Sequence, residues 1–318
     1  MRFYLAPMEE VTGYVYRNAY HALFDDMDKY VTPFITPTQK RKLKTRDQKE
    51  VSPENNRGMY VVPQILTNNA VQFVDTCHML LELGYHEVNL NLGCPSATVV
   101  KKARGSGFLD DTGRLDRFFE EVFQKLDQEQ SPLKISVKTR LGLEFPEEFE
   151  DILKIYNRYP LSEIIIHPRL QKDFYHNTPD LDTFSDALAK SVHPVCYNGD
   201  IFTKKQYEAF IERFPTVDRI MLGRGIVMNP GLVREIRTGE EITLEEYKQY
   251  HDTLYAAYRA ALGSEKDALF KMKEVWSYLG NRFPDADRYL KKIRKADRPE
   301  EYLSAVRQVF ESCRMEQE

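Results

Sequence analysis

The sequence contains few cysteines and no long apolar segment. Its four cysteines, Cys77, Cys94, Cys196 and Cys313, show no CxxC spacing, which argues against both a disulfide scaffold and a zinc ribbon. The longest charge-free stretch, 58–74, is interrupted by a proline and several amides, so it does not predict a membrane span. The N-terminal residues enter a strand-like run without a basic leader, so we expect no signal or transit peptide. We therefore expect a cytoplasmic protein with no membrane partner.

Intrinsic disorder is excluded by composition. The 318 residues are 42% hydrophobic and 30% charged, and they include 19 Tyr and 18 Phe, enough for a large core. This length exceeds that of an average domain, but it suits one α/β barrel that carries a smaller appended domain.

The distribution of charge is more informative than its sum. The net charge of −4 argues by itself against a nucleic-acid partner. However, 38–57 contains seven Lys and Arg against three acids, and 266–298 contains ten against five, most densely at 291–295. One such run is equally well explained as a solvated helix face. Two separated runs predict an anionic partner, because local patches bind phosphates while distant acids are screened.

Eight short apolar runs of strand length alternate with segments of helical spacing. The predicted strands are 2–7, 29–35, 59–66, 87–92, 133–139, 163–167, 194–198 and 218–223. The helices predicted between them include 70–83, 115–128, 147–159, 181–190 and 204–214. This alternation predicts a (β/α)8 TIM barrel. An open doubly wound sheet would alternate in the same way, but no GxGxxG follows the first strand, and many strands end in polar residues.

The pattern changes after Arg234. Gly239 marks a break, and from Leu244 onward the sequence shows helical periodicity only, divided by Pro284 and Pro299 into three helices. We therefore predict a catalytic barrel over 1–238 and a smaller all-helical C-terminal domain over 239–318.

Polar residues end six consecutive predicted strands, from the third to the eighth. They are Gln64, Asn89, Asn91, Lys138, Arg140, His167, Arg169, Asn198, Asp200 and Arg224. Each one alone is explained as a turn, cap or structural residue, but a barrel brings all of these strand ends to one pocket. The glycine turns at Gly199 and Gly223 would present backbone N–H groups to a phosphate, to which Arg224 would add a charged contact.

Cys94 differs from the other cysteines in its position. It lies between Gly93 and Pro95 just beyond the fourth predicted strand, where a thiol is a candidate acid or nucleophile. Cys77 has the helical spacing of a core residue, and Cys196 lies inside a predicted strand. No group of His, Asp and Glu residues has the spacing of metal ligands. The polar residues at the strand ends therefore favour a phosphate-bearing redox cofactor over a metal. Lys138 could reach the ring of a flavin and favour its anionic reduced form.

Five segments carry a resemblance to a known family. The segments 5–9 (LAPME), 89–96 (NLNLGCPS), 136–142 (SVKTRLG), 198–201 (NGDI) and 222–225 (LGRG) resemble the tRNA-dihydrouridine synthases in order and spacing. The resemblance covers nearly the whole chain, and its most specific element is the N-x-GCP segment that contains Cys94. The helical stretch 271–279 is similar to the family's tRNA-binding domain, most closely to the C branch, which acts on position 16 of the tRNA D-loop.

The resemblance implies a reaction and a set of site residues. It implies reduction of the C5=C6 bond of a D-loop uridine, with hydride from FMN N5 to C6, a proton from Cys94 to C5, and NADPH as the reductant of FMN. The implied FMN-binding residues are Pro7, Met8, Gln64, Lys138, His167, Asn198, Gly199, Asp200, Gly223 and Arg224. The implied tRNA-binding residues are Asn91, Arg140, Lys271, Lys273, Lys291, Lys292, Arg294 and Lys295. We expect a monomer without a metal.

Two positions depart from the family's usual sequence. Glu10 stands where the family usually has Gly, and Pro168-Arg169-Leu170 replaces the usual Gly-Arg-Thr after His167. Both departures concern the substrate edge of the site rather than its chemistry.

Three other functions would share parts of this signature. An FMN barrel acting on a small molecule, such as a dihydroorotate dehydrogenase or an ene-reductase, leaves the basic segments and the helical tail unexplained. A catalytically idle tRNA-binding paralogue would not need Cys94, Asn91, Lys138 and Arg140. A flavin-free phosphate-binding barrel leaves Gln64 and Lys138 unexplained.

Overall fold

The computed structural model describes residues 1–39 and 41–316. Within these residues, nine strand segments form one sheet. They are β1 (Arg2–Leu5), β2 (Lys29–Val31), β3 (Val61–Val62), β4 (Gln64–Ile65), β5 (Glu87–Leu92), β6 (Lys134–Thr139), β7 (Glu163–Ile166), β8 (Val195–Tyr197) and β9 (Arg219–Leu222). All eight predicted strands are present, and the third is divided into β3 and β4 by Pro63, which has no N–H to donate to a neighbouring strand.

The sheet closes on itself. Its strand order is β3-β2-β1-β9-β8-β7-β6-β5-β4, and the two ends of that order are separated only by Pro63. The pairs from β4–β5 through β8–β9 are parallel, as are β1–β2 and β2–β3. The Pro63 carbonyl still accepts the Asn89 N–H at 2.9 Å, so the interruption costs one donor and no acceptor. The prediction of a (β/α)8 TIM barrel is confirmed.

Buried apolar side chains fill the core of the sheet. A cluster drawn from β1, β2, β3, β7, β8 and β9 is at most 4% exposed; its members are Tyr4, Ala6, Val31, Val62, Ile165, Cys196 and Met221. Every residue of β5 and β7 is buried. The two strands fill their buried positions differently. In β7, Ile164, Ile165 and Ile166 form a continuous apolar run, as is usual for a strand covered on both faces. In β5, Val88, Leu90 and Leu92 alternate with polar residues that are hydrogen-bonded to other side chains.

Fourteen α-helices lie among the described residues. They are α1 (Tyr14–Leu23), α2 (Thr45–Val51), α3 (Ala70–Glu82), α4 (Ala97–Val100), α5 (Thr112–Gln128), α6 (Glu148–Tyr156), α7 (Leu181–Lys190), α8 (Lys204–Arg213), α9 (Arg224–Met228), α10 (Leu232–Thr238), α11 (Leu244–Leu262), α12 (Glu265–Leu279), α13 (Asp287–Lys295) and α14 (Pro299–Ser312). In the described parts of the chain, none of them has both the length and the apolar character needed to cross a bilayer.

Four helices, α11 to α14, follow α10, where the sequence analysis predicted three. That prediction is wrong because only prolines were taken as breaks. Helix α11 ends at Gly263, which has φ 62, and Ser264 begins the next helix by accepting the Asp267 N–H at 3.3 Å. A Gly-Ser pair at this point is itself a recognisable stop and start signal.

A buried polar network joins three of these C-terminal helices. Tyr302 of α14 accepts a hydrogen bond from the Trp276 indole N–H of α12 at 2.9 Å, and its hydroxyl lies 2.7 Å from His251 Nε2 of α11. These side chains are buried, so each polar atom depends on the others for its hydrogen bonds.

A buried ionic cluster lies at the amino ends of the strands. Lys29, the first residue of β2, contacts the carboxylates of Glu163, at the start of β7, and of Glu87, at the start of β5, the latter at 2.8 Å. Arg219 Nη1, at the start of β9, is 3.2 Å from Glu163, and the Tyr60 hydroxyl donates to Glu87 at 2.7 Å. This end of the sheet is opposite to the one at which polar strand ends were predicted to form a site.

The chain divides into two compact units. The first consists of Met1–Pro7, Lys29–Asp200 and Phe214–Met221 and contains most of the sheet; the second consists of Met8–Asp28, Ile201–Arg213 and the chain from Leu222 onward. The predicted domain boundary between residues 238 and 239 stays a prediction, and residues 317–318 of the predicted second domain lie outside the described residues.

Candidate active site

A row of hydrogen-bonded side chains joins β4, β5 and β6 in the first unit. The Gln64 amide donates to Asn89 Oδ1 at 2.8 Å and accepts from Asn91 Nδ2 at 2.7 Å, and Asn89 donates to Ser136 Oγ at 3.0 Å. A primary amide has two donor hydrogens and two lone pairs. Gln64 therefore keeps one of each beyond these two bonds, and its orientation is fixed by its neighbours.

The turn that contains Cys94 is held from two sides. Asn91 Oδ1 accepts the N–H groups of Gly93 at 3.1 Å and of Cys94 at 2.9 Å, which closes a turn directly after β5. On the other side, the Ser106 N–H and hydroxyl both donate to the Cys94 carbonyl, at 3.1 and 2.9 Å. At Gly105 a Cβ would lie 2.7 Å from that same carbonyl, so only glycine fits. The Cys94 backbone is fixed while its side chain is partly exposed.

Lys138 is a half-buried cation at the end of β6, directly opposite Asn91 in the sheet register. Burial and the neighbouring Arg140 lower the pKa of Lys138 to about 8. Its ammonium has no hydrogen bond or ion pair within the described residues. An ammonium that is partly withdrawn from water and has no counter-charge is destabilising unless a ligand supplies one.

Arg140 follows β6 and binds three backbone carbonyls. Its guanidinium donates to Gly93 at 2.9 Å, to Leu170 at 2.7 Å and to Phe174 at 2.7 Å. It therefore joins the loop after β5 to the loop after β7. It also lies 5.5 Å from the ring centroid of Tyr175, an exposed aromatic residue that the sequence analysis did not single out. A contact between Arg140 and uracil stays a prediction.

A buried ion pair holds His167 after β7. Arg169 binds Asp200 through both guanidinium amino groups, and its Nη1 is 3.2 Å from His167 Nε2. Burial, together with Lys138, Arg140 and Arg169, holds the pKa of His167 well below its usual value. The imidazole is therefore neutral at pH 7, with Nε2 as acceptor and the proton on Nδ1. The carboxylate of Asp200, which the resemblance assigned to FMN, is the counter-charge of Arg169.

The turn after β8 requires its glycine. The Asn198 amide donates to the Met221 carbonyl at 2.8 Å, and at Gly199 a Cβ would lie 1.9 Å from the Tyr197 hydroxyl oxygen. Pro7, the remaining predicted cofactor contact in the first unit, follows β1. Asn91, Lys138, Arg140, His167 and Asn198 lie at the carboxyl ends of their strands, as a barrel site requires, and Gln64 begins β4 just beyond Pro63.

The second unit contains the other predicted cofactor residues. The Met8 N–H donates to Thr12 Oγ1 at 2.7 Å. Gly223 precedes the short helix α9, and the guanidinium of Arg224 lies 5.3 Å from the Phe202 ring centroid. At Gly225 a Cβ would lie 2.0 Å from the Ile201 carbonyl oxygen, so the turn after β9 also requires glycine.

The predicted tRNA-binding cations of the tail have different surroundings. Lys271 binds the carboxylate and the carbonyl of Glu10, one of the two departures from the family sequence, and Lys273 is 3.7 Å from Asp297. By contrast, a groove of about 450 Å³ between α13 and α14 is lined by Lys291, Lys292, Lys295, Ala296, Glu301, Ser304, Ala305 and Gln308. In the other basic segment, Arg41 pairs with Asp75 at 2.9 Å, and Lys40 lies outside the described residues.

The family model and the similar proteins of known name agree on one family. Residues 4–316 match the family model described as dihydrouridine synthase. The chain is 29% identical over 250 residues to a tRNA-dihydrouridine(16) synthase of Aquipseudomonas alcaligenes, covering 76% of this chain and 78% of that one. It is 25% identical over 317 residues to a tRNA-dihydrouridine(16) synthase of Shewanella oneidensis, covering 97% and 98%. A probable tRNA-dihydrouridine synthase of Staphylococcus aureus is 26% identical over 86% of this chain and 81% of that one.

Solved structures of similar fold include two reductases. Morphinone reductase has a TM-score of 0.55 at 11% identity, covering 76% of this chain and 87% of that one. An old yellow enzyme homologue from Zymomonas mobilis has a TM-score of 0.53 at 12% identity, covering 76% and 90%. At this level of identity, the two structures support the parallel barrel fold alone.

Proposed function

The chain belongs to the dihydrouridine synthase family and is an oxidoreductase that acts on tRNA; from that premise we propose that it reduces the C5=C6 bond of a D-loop uridine, with FMN as hydride donor and NADPH as the reductant of FMN. We propose position 16 as the target, because two relatives of this chain are named tRNA-dihydrouridine(16) synthase.

The ammonium of Lys138 is the observation that carries the flavin proposal. It is half-buried at the carboxyl end of β6, burial and Arg140 lower its pKa, and it has no counter-charge within the described residues. A flavin is electron-rich at its ring carbonyls and becomes anionic when reduced, so it fits beside this cation. The spare donor and acceptor of Gln64 and the neutral imidazole of His167 suit a heterocycle with alternating polar atoms. Lys138, Gln64 and His167 would hold the ring, and the glycine turns would hold the phosphate.

In the proposed reaction the proton comes from the thiol of Cys94, whose backbone is fixed in the turn after β5. When bound and reduced, FMN would supply a hydride to C6 of the uracil. Since C5=C6 is conjugated to the C4 carbonyl, the electron pair of the double bond moves to C5 and O4, and the Cys94 thiol protonates C5 as general acid. Asn91 and Ser106 act through Cys94, because together they hold the backbone on both sides of its side chain. The thiol must be protonated when it acts, so this chemistry does not need an activated thiolate.

The cationic groove between α13 and α14 is the tRNA contact that we propose for the tail. Three lysines line it, and phosphate recognition needs such clusters of positive charge. Reaching a uridine in a folded loop requires unstacking the base, at a cost of about a few kcal/mol that phosphate contacts offset.

The visible spectrum of the purified protein tests the proposal directly. We expect a yellow protein that bleaches with NADPH and regains its colour anaerobically only when unmodified tRNA is added. A protein that bleaches but does not respond to tRNA would instead be a barrel oxidoreductase acting on a small molecule. A colourless protein that FMN does not reconstitute would contradict the flavin proposal.

Lys138 gives a prediction about pH. The affinity of the apoprotein for FMN should fall as pH rises through about 8, because the ammonium is charged below its pKa and neutral above it. Lys138→Met should weaken FMN binding at least about tenfold at neutral pH, the usual effect of removing a hydrogen bond to a charged group. In Lys138→Arg the affinity for FMN should not fall near pH 8, since a guanidinium stays charged. Fluorescence titration of FMN checks both, with Lys134→Met at the exposed start of β6 as the control. Equal affinity in wild type and Lys138→Met would refute the role.

The tail gives a prediction about salt. Changing Lys291, Lys292, Arg294 and Lys295 to Gln should raise the KM for tRNA and flatten its salt dependence, by about 0.7 in the log–log slope for each phosphate that the variant no longer neutralises. NADPH oxidation by oxygen should be unaffected. A matched pair of changes on barrel helices, Lys154→Gln and Lys190→Gln, should leave the slope as it is. A slope that is the same in all three proteins would mean that the groove does not touch RNA.

A further inference from the structure

Two phenylalanine rings are exposed on the loops after β6 and β7, in addition to Tyr175, which contacts Arg140. Phe145, on the loop after β6, is 63% exposed, and Phe174, on the loop after β7, is 45% exposed. Within the described residues neither ring packs against another aromatic ring. Phenylalanine is normally among the most buried residue types, so two exposed rings on neighbouring loops call for an explanation.

The two loops are joined and rigidly held. Leu141 N–H donates to the Arg169 carbonyl at 3.1 Å, and Gln171 N–H donates to the Gly142 carbonyl at 2.9 Å. The Glu148 carboxylate then accepts the three consecutive N–H groups of residues 143–145, at 2.7 to 2.9 Å. These bonds fix the backbone that carries the Phe145 ring, so the ring's exposure is built into the loop.

Phe174 adopts a backbone conformation that favours glycine. Its φ is 49, and the conformation is maintained by the Arg140 guanidinium, which donates to the Phe174 carbonyl at 2.7 Å. A bulky residue at positive φ is unusual, and such residues concentrate at functional sites. The same guanidinium donates to the Gly93 carbonyl, so one side chain connects the Phe174 loop to the Cys94 turn.

Lys172 and Asp173 of these loops are already engaged within the protein. Lys172 Nζ is 3.3 Å from Glu144 and 5.2 Å from the Phe145 ring centroid. Asp173 accepts from the Leu170 N–H at 2.8 Å and from the Asn177 amide at 2.6 Å. The surface therefore presents π faces rather than a set of unpaired cations. This chemistry suits the faces of unstacked nucleobases better than it suits phosphates.

We propose that Phe145 and Phe174 form a stacking rim, which receives bases flanking the reduced uridine in the tRNA loop. The rim rests on the proposed function, because it needs a loop that has been opened to bring one uridine to Cys94. It recognises base faces, so its contribution to affinity does not depend on counterion release and is insensitive to salt, unlike that of the α13–α14 groove.

Three variants and one control test the rim. Phe174→Gly removes a ring and suits the positive φ, Phe145→Ala removes the other, and Phe145→Trp enlarges it. Val192→Ala, in an exposed residue at the amino end of β8, is the control. The measurements are the Kd of unmodified tRNA at low and high salt, and the fluorescence of 2-aminopurine placed beside the target uridine. NADPH oxidation by oxygen verifies that the flavin site of each variant is intact.

The expected results separate stacking from charge. Each ring removal should raise the Kd about 5- to 10-fold, by the same factor at both salt concentrations, and should weaken the quenching of 2-aminopurine. Phe145→Trp should bind at least as tightly as wild type, and Val192→Ala should match it.

Several results would overturn the rim. Unchanged Kd and quenching in both ring-removal variants, with wild type still forming dihydrouridine, would remove the rim and leave the proposed function intact. If the fold increase in Kd that each ring removal causes is smaller at high salt, the rings act through phosphate contacts instead. A wild-type dimer that Phe145→Ala dissociates would mean that the rings face a second copy of the chain. Wild type that neither binds nor reduces tRNA would overturn the proposed function and the rim together.

Discussion

Changing Cys94 to Ala is expected to lower the rate of uridine reduction by about 10²- to 10⁴-fold, the usual effect of removing a positioned general acid. FMN should stay bound and NADPH should still bleach it, because neither step needs the thiol. The structure supports this separation, since Asn91 and Ser106 hold the Cys94 turn through bonds to the Cys94 backbone. The turn should therefore keep its shape in the variant.

The measurement is a single turnover under anaerobic conditions. Protein reduced with NADPH is mixed with unmodified tRNA, flavin reoxidation is followed by absorbance, and dihydrouridine is quantified by mass spectrometry of the digested tRNA. Cys313→Ala, in a partly exposed cysteine after α14, serves as the matched control and should behave as wild type. Wild-type rates in Cys94→Ala would show that another group donates the proton.

Changing Lys29 to Met is expected to lower the free energy of unfolding by about 3–5 kcal/mol, because it leaves the buried Glu87 carboxylate without its counter-charge and leaves Glu163 with Arg219 alone. Glu87 and Glu163 are 6% and 2% exposed, so water cannot replace the missing ammonium. Urea unfolding measures the change. Lys154→Met, which breaks an exposed pair on α6, should cost less than about 1 kcal/mol. Adding Glu87→Gln and Glu163→Gln to Lys29→Met should recover much of the stability.

The pH dependence of this effect has a definite sign. Burial alone would lower the pKa of Lys29, but Glu163 and Glu87 outweigh it, and the pKa is raised. A group with a raised pKa in the folded state contributes its full stabilisation below its unfolded pKa, about 10.4 for lysine. The difference between wild type and Lys29→Met should therefore be constant near neutral pH and should shrink only in strong alkali. A difference that vanishes between pH 7 and 8 would contradict this account of the cluster.

The barrel could be predicted from the sequence because its strands are local features. The apolar run 164–166 of β7 and the alternation of Val88, Leu90 and Leu92 with polar residues in β5 are both patterns of strand length that stand out from their surroundings. The fourth C-terminal helix was missed although its signal is also local, in the Gly263-Ser264 pair. The division of the third strand follows from Pro63. That β3 and β4 pair with different neighbours, and so stand at the two ends of the strand order, appears only in the structure.

The sequence predicts which residues lie at the candidate site, but it does not predict which side chains pair with one another. Strand-end position identified Lys138 and His167, and Cys94 was distinguished by its loop. Nothing in the sequence indicates that Arg169 pairs with Asp200, or that Ser106 binds the Cys94 carbonyl. Such pairs join residues that are distant in sequence, and many alternative partners have the same chemistry. Lys29, Glu87 and Glu163 were passed over for the same reason.

The packing of α1 has a consequence for the order in which the chain is made. Tyr16 and Phe24 contact Tyr250 of α11, with ring centroids 6.2 and 5.7 Å apart, and Tyr258 donates to the Val11 carbonyl at 3.3 Å. During synthesis α1 leaves the ribosome before α11, and this aromatic partner follows about 10 to 50 seconds later at usual elongation rates. The nascent chain must keep this face of α1 from aggregating for that interval. A gene truncated after residue 238 never supplies the partner, so its product should accumulate in inclusion bodies while the full-length chain stays in the supernatant.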